Sequence, residues 1–334
     1  MNRRFKIVLT ILIIALGAGF AGYSYNLNRI QLHLAGADAV NSGVNLKYHF
    51  IMIAQDWGDD FWQSVKAGAE EAAEDSGAAI EFLGSVMQDE DGMLECMEVA
   101  IASRVDGIIV YVTDEKRFQP LIDKAVDGGI PVITIESDAN SSKRNAFVGP
   151  NNYMAGMKAG GLVIEAANGM RADVAVIVGG NYAGNSDAAN SLLNGFDESI
   201  KSAANVRRAT VQYANTGYFS AETSIRRILD EFPEVNVIVC TGFTDTLEVL
   251  QVLIDLNRES GITLIGYNNT QQIREYIKYN NLYGAVYEFP RLTGRKSVED
   301  LVLCLQGQAI REFDDTGVYT VTRKNLVSYP SDSR

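Results

Sequence analysis

The feature of this sequence that most constrains its fold is a regular alternation of strand-like and helix-like segments. From Lys47 onward, short β-branched or aromatic runs alternate with amphipathic stretches of about 10 to 18 residues. This pattern is typical of βα units, in which helices cover a parallel sheet. The rhythm restarts after Pro150, so we predict an α/β protein with two sequential α/β halves, a size that fits 334 residues. The predicted strands are Tyr48 to Gln55, Ala79 to Leu83, Gly107 to Val112, Pro131 to Glu136, Asp173 to Val178, Ala209 to Tyr213, Asn236 to Cys240, Thr263 to Tyr267 and Gly284 to Glu288.

The first predicted helix has recognisable start and stop signals. Asp60 is followed three residues later by Gln63, as in a capping box. Gly77 is suited to end the helix, because glycine adopts the left-handed conformation that a C-terminal cap requires. This interpretation assigns Asp60 to capping and leaves Asp59 open between capping and ligand contact.

The first 25 residues predict where the rest of the chain lies. Basic residues precede an apolar run from Ile7 to about Tyr23, which is about long enough to cross a bilayer as a helix. We predict a signal or anchor helix over residues 1–25 and a polar linker over 26–46, with the body outside the cytoplasmic membrane. We favour an uncleaved anchor. Cleavage after Ala21, which would give a periplasmic or secreted protein, stays the alternative.

One motif in this segment is misleading. Residues 17–22 read GxGxxG, the dinucleotide-binding fingerprint, but that motif must follow a strand and open a helix. Here it lies inside the apolar run. We interpret its glycines as small-residue packing or part of a cleavage region, and we predict no cofactor.

Composition excludes several function classes. The chain carries 29 basic and 42 acidic residues, a net charge of −13, which disfavours a nucleic-acid partner. It has two histidines, His33 and His49, so a histidine-based triad or multi-histidine metal site is not expected. Cys96, Cys240 and Cys304 are widely spaced in apolar stretches, and we predict inert, buried thiols. We therefore expect no metal site and no disulfide framework.

Polar and aromatic side chains follow the predicted strands. In open parallel sheets, ligands bind beyond the carboxyl ends of the strands, so these residues are the candidates for function. Aromatic, amide and carboxylate side chains predominate there, and lysine and arginine are nearly missing. Such a mixture suits a neutral polyhydroxylated ligand, whose ring faces stack on aromatic planes while its hydroxyls donate and accept hydrogen bonds.

Four segments carry a family resemblance. The segments from Tyr48 to Glu71 and from Pro131 to Glu136, the pair Gly195-Phe196 and the run Gly266-Tyr-Asn-Asn occur in order with compatible spacings. Together they resemble the ribose- and galactose-binding proteins, which are type I periplasmic solute-binding proteins of sugar transporters. The resemblance runs from about residue 47 to about 325.

The resemblance implies two Rossmann-like lobes with parallel sheets, which are joined by a three-strand hinge and close on a sugar between them. The chain would cross near Pro150, Phe289 and Thr316. The lobes would comprise residues 47–150 with 289–316, and 151–288 with 317–334. The family's ligand-contacting places fall here on Asp59, Phe61, Trp62, Tyr111, Glu136, Asn190, Tyr218, Asn268 and Glu288.

Several of these places depart from the family pattern. The second-lobe arginine that reaches the sugar oxygens in the family is replaced here by Asn190. Glu136 and Glu288 then lack an obvious cation, so an amino sugar or another cationic polyol is open as the ligand.

Phe61 and Trp62 point about 100° apart on a helix, so they cannot both face one core.

The resemblance leaves two main functions open. The first is capture of a sugar-like ligand by a monomeric, non-enzymatic binding protein that docks on the permease of an ABC-type importer. The second is a ligand-sensing receptor that signals to a membrane histidine kinase. A transcription factor would need a helix-turn-helix before the lobe, whereas this chain has an apolar segment there. A glycosidase would need paired carboxyls, which Glu136 and Glu288 could imitate.

Overall fold

The structure is a computed structural model in which residues 46–85, 90–179, 182, 186–214, 220–258 and 261–326 are described. The predicted membrane helix, and the predicted linker up to residue 45, lie outside these residues. Within the described part of the chain, no helix is long and apolar enough to cross a membrane.

The first sheet is parallel throughout. Its order is β11-β5-β4-β3-β1-β2, and its strands are buried near the centre because helices cover both faces. The elements before the first crossing are β1 (Tyr48–Gln55), α1 (Asp60–Ser76), β2 (Ala78–Ser85), α2 (Glu90–Ser103), β3 (Gly107–Tyr111), α3 (Glu115–Asp127), β4 (Val132–Ile135) and β5 (Ala146–Gly149).

The second sheet repeats this plan. Its order is β12-β10-β9-β8-β6-β7, and all described pairs are parallel except β10 with β12. Its elements are α4 (Asn152–Ala167), β6 (Ala172–Val178), α5 (Ser186–Ile200), β7 (Val206–Tyr213), α6 (Ser220–Glu231), β8 (Val237–Cys240), α7 (Phe243–Asp255), β9 (Thr263–Tyr267), α8 (Gln271–Lys278), β10 (Gly284–Tyr287) and β12 (Tyr319–Thr322).

The chain passes between the sheets three times. After β5 it enters the second sheet through α4, and after β10 it returns as α9 (Pro290–Leu305) and β11 (Phe313–Asp315). It crosses again to β12. Pro150, Phe289 and Thr316 lie in these three connections. Pro290 begins α9, a position that suits proline because its fixed φ matches the helix.

The observed elements differ from the predicted ones where the sequence signal is short. β5, β11 and β12 have three or four residues each and were not predicted as strands. β7 begins at Val206, three residues before the predicted start. The predicted end of the first helix is confirmed, since Gly77 has a φ of 67° and its N–H bonds to the carbonyls of Ala73 and Glu74.

Two helix pairs approach closely through glycine. In the first lobe, a Cβ on Gly68 of α1 would lie 1.9 Å from the carbonyl oxygen of Arg291 on α9. In the second lobe, a Cβ on Gly156 of α4 would lie 1.9 Å from the carbonyl oxygen of Leu192 on α5. The missing side chains allow the helix backbones to touch, and each pair packs beside its own sheet.

Candidate ligand-binding site

Glu136 follows β4 at the carboxyl end of the first sheet. The four residues of β4 are buried, and Glu136 then takes a φ of 61°, a left-handed conformation that glutamate seldom adopts. Its N–H donates to the carbonyl of Val148 on β5 at 3.1 Å. The strand thus ends in a turn that directs Glu136 away from the sheet.

Glu136 meets Glu288, which follows β10 of the second sheet. The two carboxyl groups are hydrogen-bonded to each other, and the hydroxyl of Thr293 on α9 also bonds to Glu136. Burial, followed by the charge of Glu288, raises the pKa of Glu136 well above its usual value. A hydrogen bond between two carboxyl groups requires a proton on one of them, so the pair shares one proton.

Three tyrosines surround this carboxyl pair. Tyr267 bonds to Glu288 and to Tyr182, and the hydroxyl of Tyr182 donates to Oδ1 of Asn152 at 3.1 Å. Burial and the charges of both glutamates raise the pKa of Tyr111, Tyr182 and Tyr267. All three phenols therefore stay protonated at neutral pH. The polar network extends from the first sheet to the second.

An aromatic cluster borders the carboxyl pair on the first lobe. The ring of Trp62 lies 5.0 Å from that of Tyr111 and 5.2 Å from that of Phe61, both edge to face. Trp57 packs on Trp62 and Phe82 and donates its indole N–H to the carbonyl of Leu83. Trp62 is 8% exposed and belongs to the core, whereas Phe61 is half-buried. Phe61 is thus the ring of this pair that keeps more of its surface accessible to a ligand.

The start of α1 corrects one sequence interpretation. Asp59, rather than Asp60, is the N-cap, and its Oδ1 accepts a hydrogen bond from the N–H of Phe61 at 2.8 Å. Asp60 is exposed in the first turn. Burial raises the pKa of Asp59, and the backbone N–H groups of Phe61 and Trp62 oppose that shift. Asp59 therefore fixes the backbone that carries the two rings.

The predicted residues of the second lobe lie in different environments. Asn268 follows β9 with a φ of 84°, is half-buried, and its Oδ1 accepts from the N–H of Asn269 at 2.6 Å. Asn190 lies on α5 with an exposed side chain. Tyr218 lies outside the described residues.

Sequence reasoning missed Tyr182, Tyr267 and Thr293 as parts of this site. Tyr267 is the last residue of β9, directly before Asn268, so its position at a strand end was the signal that could have found it. Tyr182 follows β6 and has the same signal. Nothing in the local sequence marks Thr293, because it reaches Glu136 only through the return of α9 to the first lobe.

Basic residues close in sequence to the two glutamates are engaged elsewhere. Arg144 forms a two-pronged ion pair with Asp138, at 2.5 and 2.6 Å. Arg291 pairs with Glu71 on α1. Over the described residues, Glu136 forms no ion pair with lysine, arginine or histidine.

The described residues contain no group of histidine, cysteine and acidic side chains that could hold a metal ion. The three cysteines are free thiols. Cys240 is buried as predicted, but Cys96 on α2 and Cys304 on α9 are only half-buried, which corrects that prediction for these two thiols. Burial raises the pKa of all three thiols, so they stay protonated.

Two α/β lobes whose strand ends face each other define the class of two-lobed solute-binding proteins. The family model for the periplasmic binding protein domain matches residues 50–309, and the chain belongs to that family. It is a type I periplasmic sugar-binding protein. The family places the protein outside the cytoplasm, and the matched relatives are binding proteins rather than enzymes.

Two curated proteins similar to this chain are both named as sugar-binding proteins. The chain is 21% identical over 301 residues to the D-ribose/D-allose-binding protein of Pseudomonas aeruginosa, covering 87% of this chain and 92% of the relative. It is 22% identical over 272 residues to the ribose import binding protein RbsB of Bacillus subtilis, covering 81% and 86%.

Solved structures show the same fold. GanP, a glucose-galactose binding protein from Geobacillus stearothermophilus, matches with a TM-score of 0.77 and 28% identity, covering 84% of this chain and 99% of GanP. The structure of a XylFII-LytSN complex contains a chain that matches with a TM-score of 0.73 and 26% identity, covering 84% and 99%.

Proposed function

We propose that this protein captures a small polyhydroxylated ligand, a sugar or a sugar-like molecule, between its two lobes. The observation that carries this proposal is the contact of Glu136 with Glu288 beside an aromatic cluster. These groups come from opposite sheets, so one molecule held there can bond to both lobes. The proposed contacts are Asp59, Phe61, Trp62, Tyr111, Glu136, Asn190, Tyr218, Asn268 and Glu288.

Ligand binding would act by shifting an equilibrium between open and closed lobes. The proposed lobes are residues 47–150 with 289–316 and residues 151–288 with 317–334, and they rotate about the connections at Pro150, Phe289 and Thr316. A ligand that bonds to both lobes binds the closed form better, so its binding energy populates that form. No covalent chemistry is required.

Delivery to an ABC-type importer is the proposed biological role. A B. subtilis relative is a ribose import binding protein, and another relative binds ribose and allose, which favours import. In this role the closed form docks on a membrane permease. The predicted N-terminal helix would hold the binding protein near that permease, and cell fractionation of the full chain tests the anchor. Recovery of the protein free of membranes, processed after Ala21, would contradict it.

A sensing role is the second candidate, and one observation favours it. XylFII was solved in a complex with LytSN, and the match to a chain of that structure covers 84% of the present protein. In this role the same closure signals to a membrane histidine kinase. Co-purification separates the two roles: a permease recovered with the full chain in a sugar-dependent manner supports import, and a kinase supports sensing.

Isothermal titration calorimetry tests ligand capture directly. The full chain, purified in mild detergent, is titrated with D-ribose, D-allose, D-xylose, D-arabinose, D-glucose, D-galactose, their amino derivatives and myo-inositol. We expect saturable binding of at least one compound with a stoichiometry of one, and a matching rise in melting temperature. Absence of binding across this panel would contradict the proposal.

A further inference from the structure

We propose that the site selects a ligand bearing a positively charged amine, such as an amino sugar, whose ammonium group takes the place of the proton shared by Glu136 and Glu288. This inference rests on the proposed function and specifies the ligand class of the same site. It follows from the charge balance around Glu136.

Among the described residues, the partners of Glu136 are acidic or neutral. The groups that act on it are Glu288 from β10 and Thr293 from α9, and it in turn acts on Tyr111 of β3, Tyr182 and Tyr267 of β9. Its Oε1 is buried and has no hydrogen-bond partner among the described residues. A buried carboxylate oxygen without a hydrogen-bond partner destabilises the folded protein, and a ligand that donates a hydrogen bond to it removes that destabilisation.

Over the residues that the structure describes, no lysine, arginine or histidine forms an ion pair with Glu136. Arg144 is paired with Asp138, Arg291 with Glu71, and Lys296 of α9 with Asp314 at 2.6 Å. The internal stretches outside the described residues, 86–89, 180–181, 183–185, 215–219 and 259–260, contain no lysine, arginine or histidine in their sequence. The shared proton is therefore the positive charge next to Glu136.

An ammonium group matches this environment in charge and in geometry. It donates up to three hydrogen bonds, which suits two carboxyl groups in contact and the oxygens beside them. The half-buried ring of Phe61 then remains available for the apolar face of the sugar. The net charge of −13 also favours the approach of a cation over long range.

Matched pairs of sugars test the inference. The full chain is titrated at about pH 6.5, where a primary amine keeps its proton, with D-glucosamine against D-glucose and with D-galactosamine against D-galactose. We expect the amine of at least one pair to bind about tenfold tighter or more than its hydroxyl counterpart. Binding should also release protons, measured as a heat that depends on the ionisation enthalpy of the buffer.

Three variants complete the test. Glu136→Gln and Glu288→Gln keep the size of the side chain and each remove one of the two carboxyl groups, so each should lower the amine-to-hydroxyl ratio severalfold. Asp300→Asn is the control, because Asp300 is a buried carboxyl of the same lobe outside the pair, and it should keep the preference. Circular dichroism confirms that each variant is folded.

The possible outcomes separate the two proposals. Equal affinity for amine and hydroxyl, or binding of neutral sugars alone, overturns the charge inference and leaves sugar capture intact. An amine preference that is unchanged in both glutamine variants also overturns it. Failure of every sugar in both panels to bind overturns the proposed function itself.

Discussion

Replacing Gly156 by alanine should destabilise the second lobe, whereas the same change five residues later should not. On α4, a Cβ at Gly156 would lie 1.9 Å from the carbonyl oxygen of Leu192 and 2.7 Å from the N of Phe196. Both atoms are backbone of α5, so no side-chain rotation relieves the clash and the helices must separate. Such overpacking costs about 1–3 kcal/mol or more.

Gly161 on the same helix is the matched control. A Cβ there meets no atom within 4 Å, and alanine is favoured over glycine in a helix by about 1 kcal/mol. The two substitutions therefore change the free energy of unfolding in opposite directions. The predicted difference between them is about 2–4 kcal/mol, the sum of the overpacking cost and the helix-propensity gain.

Differential scanning calorimetry measures this difference. At about 2–4 °C per kcal/mol for a lobe of this size, Gly156→Ala should melt several degrees below the wild type, and Gly161→Ala should melt at or above it. Calorimetry is preferred to one optical signal because two lobes can unfold in separate transitions. Equal melting temperatures for the two variants would refute the assignment of the α4–α5 contact as a backbone contact.

Three further changes test the site. Phe61→Ala should weaken sugar binding about tenfold or more, since ring stacking contributes on the order of 1 kcal/mol, while Cys96→Ser should leave it unchanged by calorimetry. Glu136→Gln should flatten the pH dependence of the free energy of unfolding. Because the pKa of Glu136 is raised in the folded state, the wild type is most stable below the ordinary glutamate pKa and loses stability as the pH rises towards the raised value. Urea unfolding between pH 4 and pH 8 measures this dependence. A saturating sugar should lower the radius of gyration in small-angle scattering, and an unchanged radius would contradict lobe closure.

The two-sheet plan could be predicted because long buried strands have a strong local signal. β1 has eight residues and matches its predicted bounds, and β9 matches at both ends. β5, β11 and β12 could not be predicted in the same way, because three or four residues give too short a period and their stability comes from pairing with distant strands.

The candidate site could be predicted only as a set of strand ends. Glu136 and Glu288 were predicted from their positions after strands, but their contact joins two sheets and depends on the return of the chain through α9. The choice between Asp59 and Asp60 as the helix cap also needed coordinates. Both can accept from backbone N–H groups, and the backbone of residue 59, with a φ of −76° and a ψ of 138°, decides the matter.

The two lobes end a central strand in the same way, and this points to a cost at Glu136. Asn268 follows β9 with its N–H bonded to Val286 of the neighbouring strand, as Glu136 follows β4 with its N–H bonded to Val148. Both residues have positive φ, at 84° and 61°. Asparagine tolerates this conformation, whereas glutamate is strained by about 1 kcal/mol or more.

The strain at residue 136 implies that the glutamate side chain has a role that offsets it. Two variants separate the effect of the backbone strain from the effect of the side-chain charge. Glu136→Asn and Glu136→Gln both remove the charge, but only asparagine relieves the backbone. We expect the asparagine variant to be more stable than the glutamine variant by about 1 kcal/mol in urea unfolding, while both variants discriminate less between amine and hydroxyl ligands than the wild type does. Equal stability of the two variants would show that the backbone at residue 136 is unstrained. The retention of glutamate would then need no functional explanation.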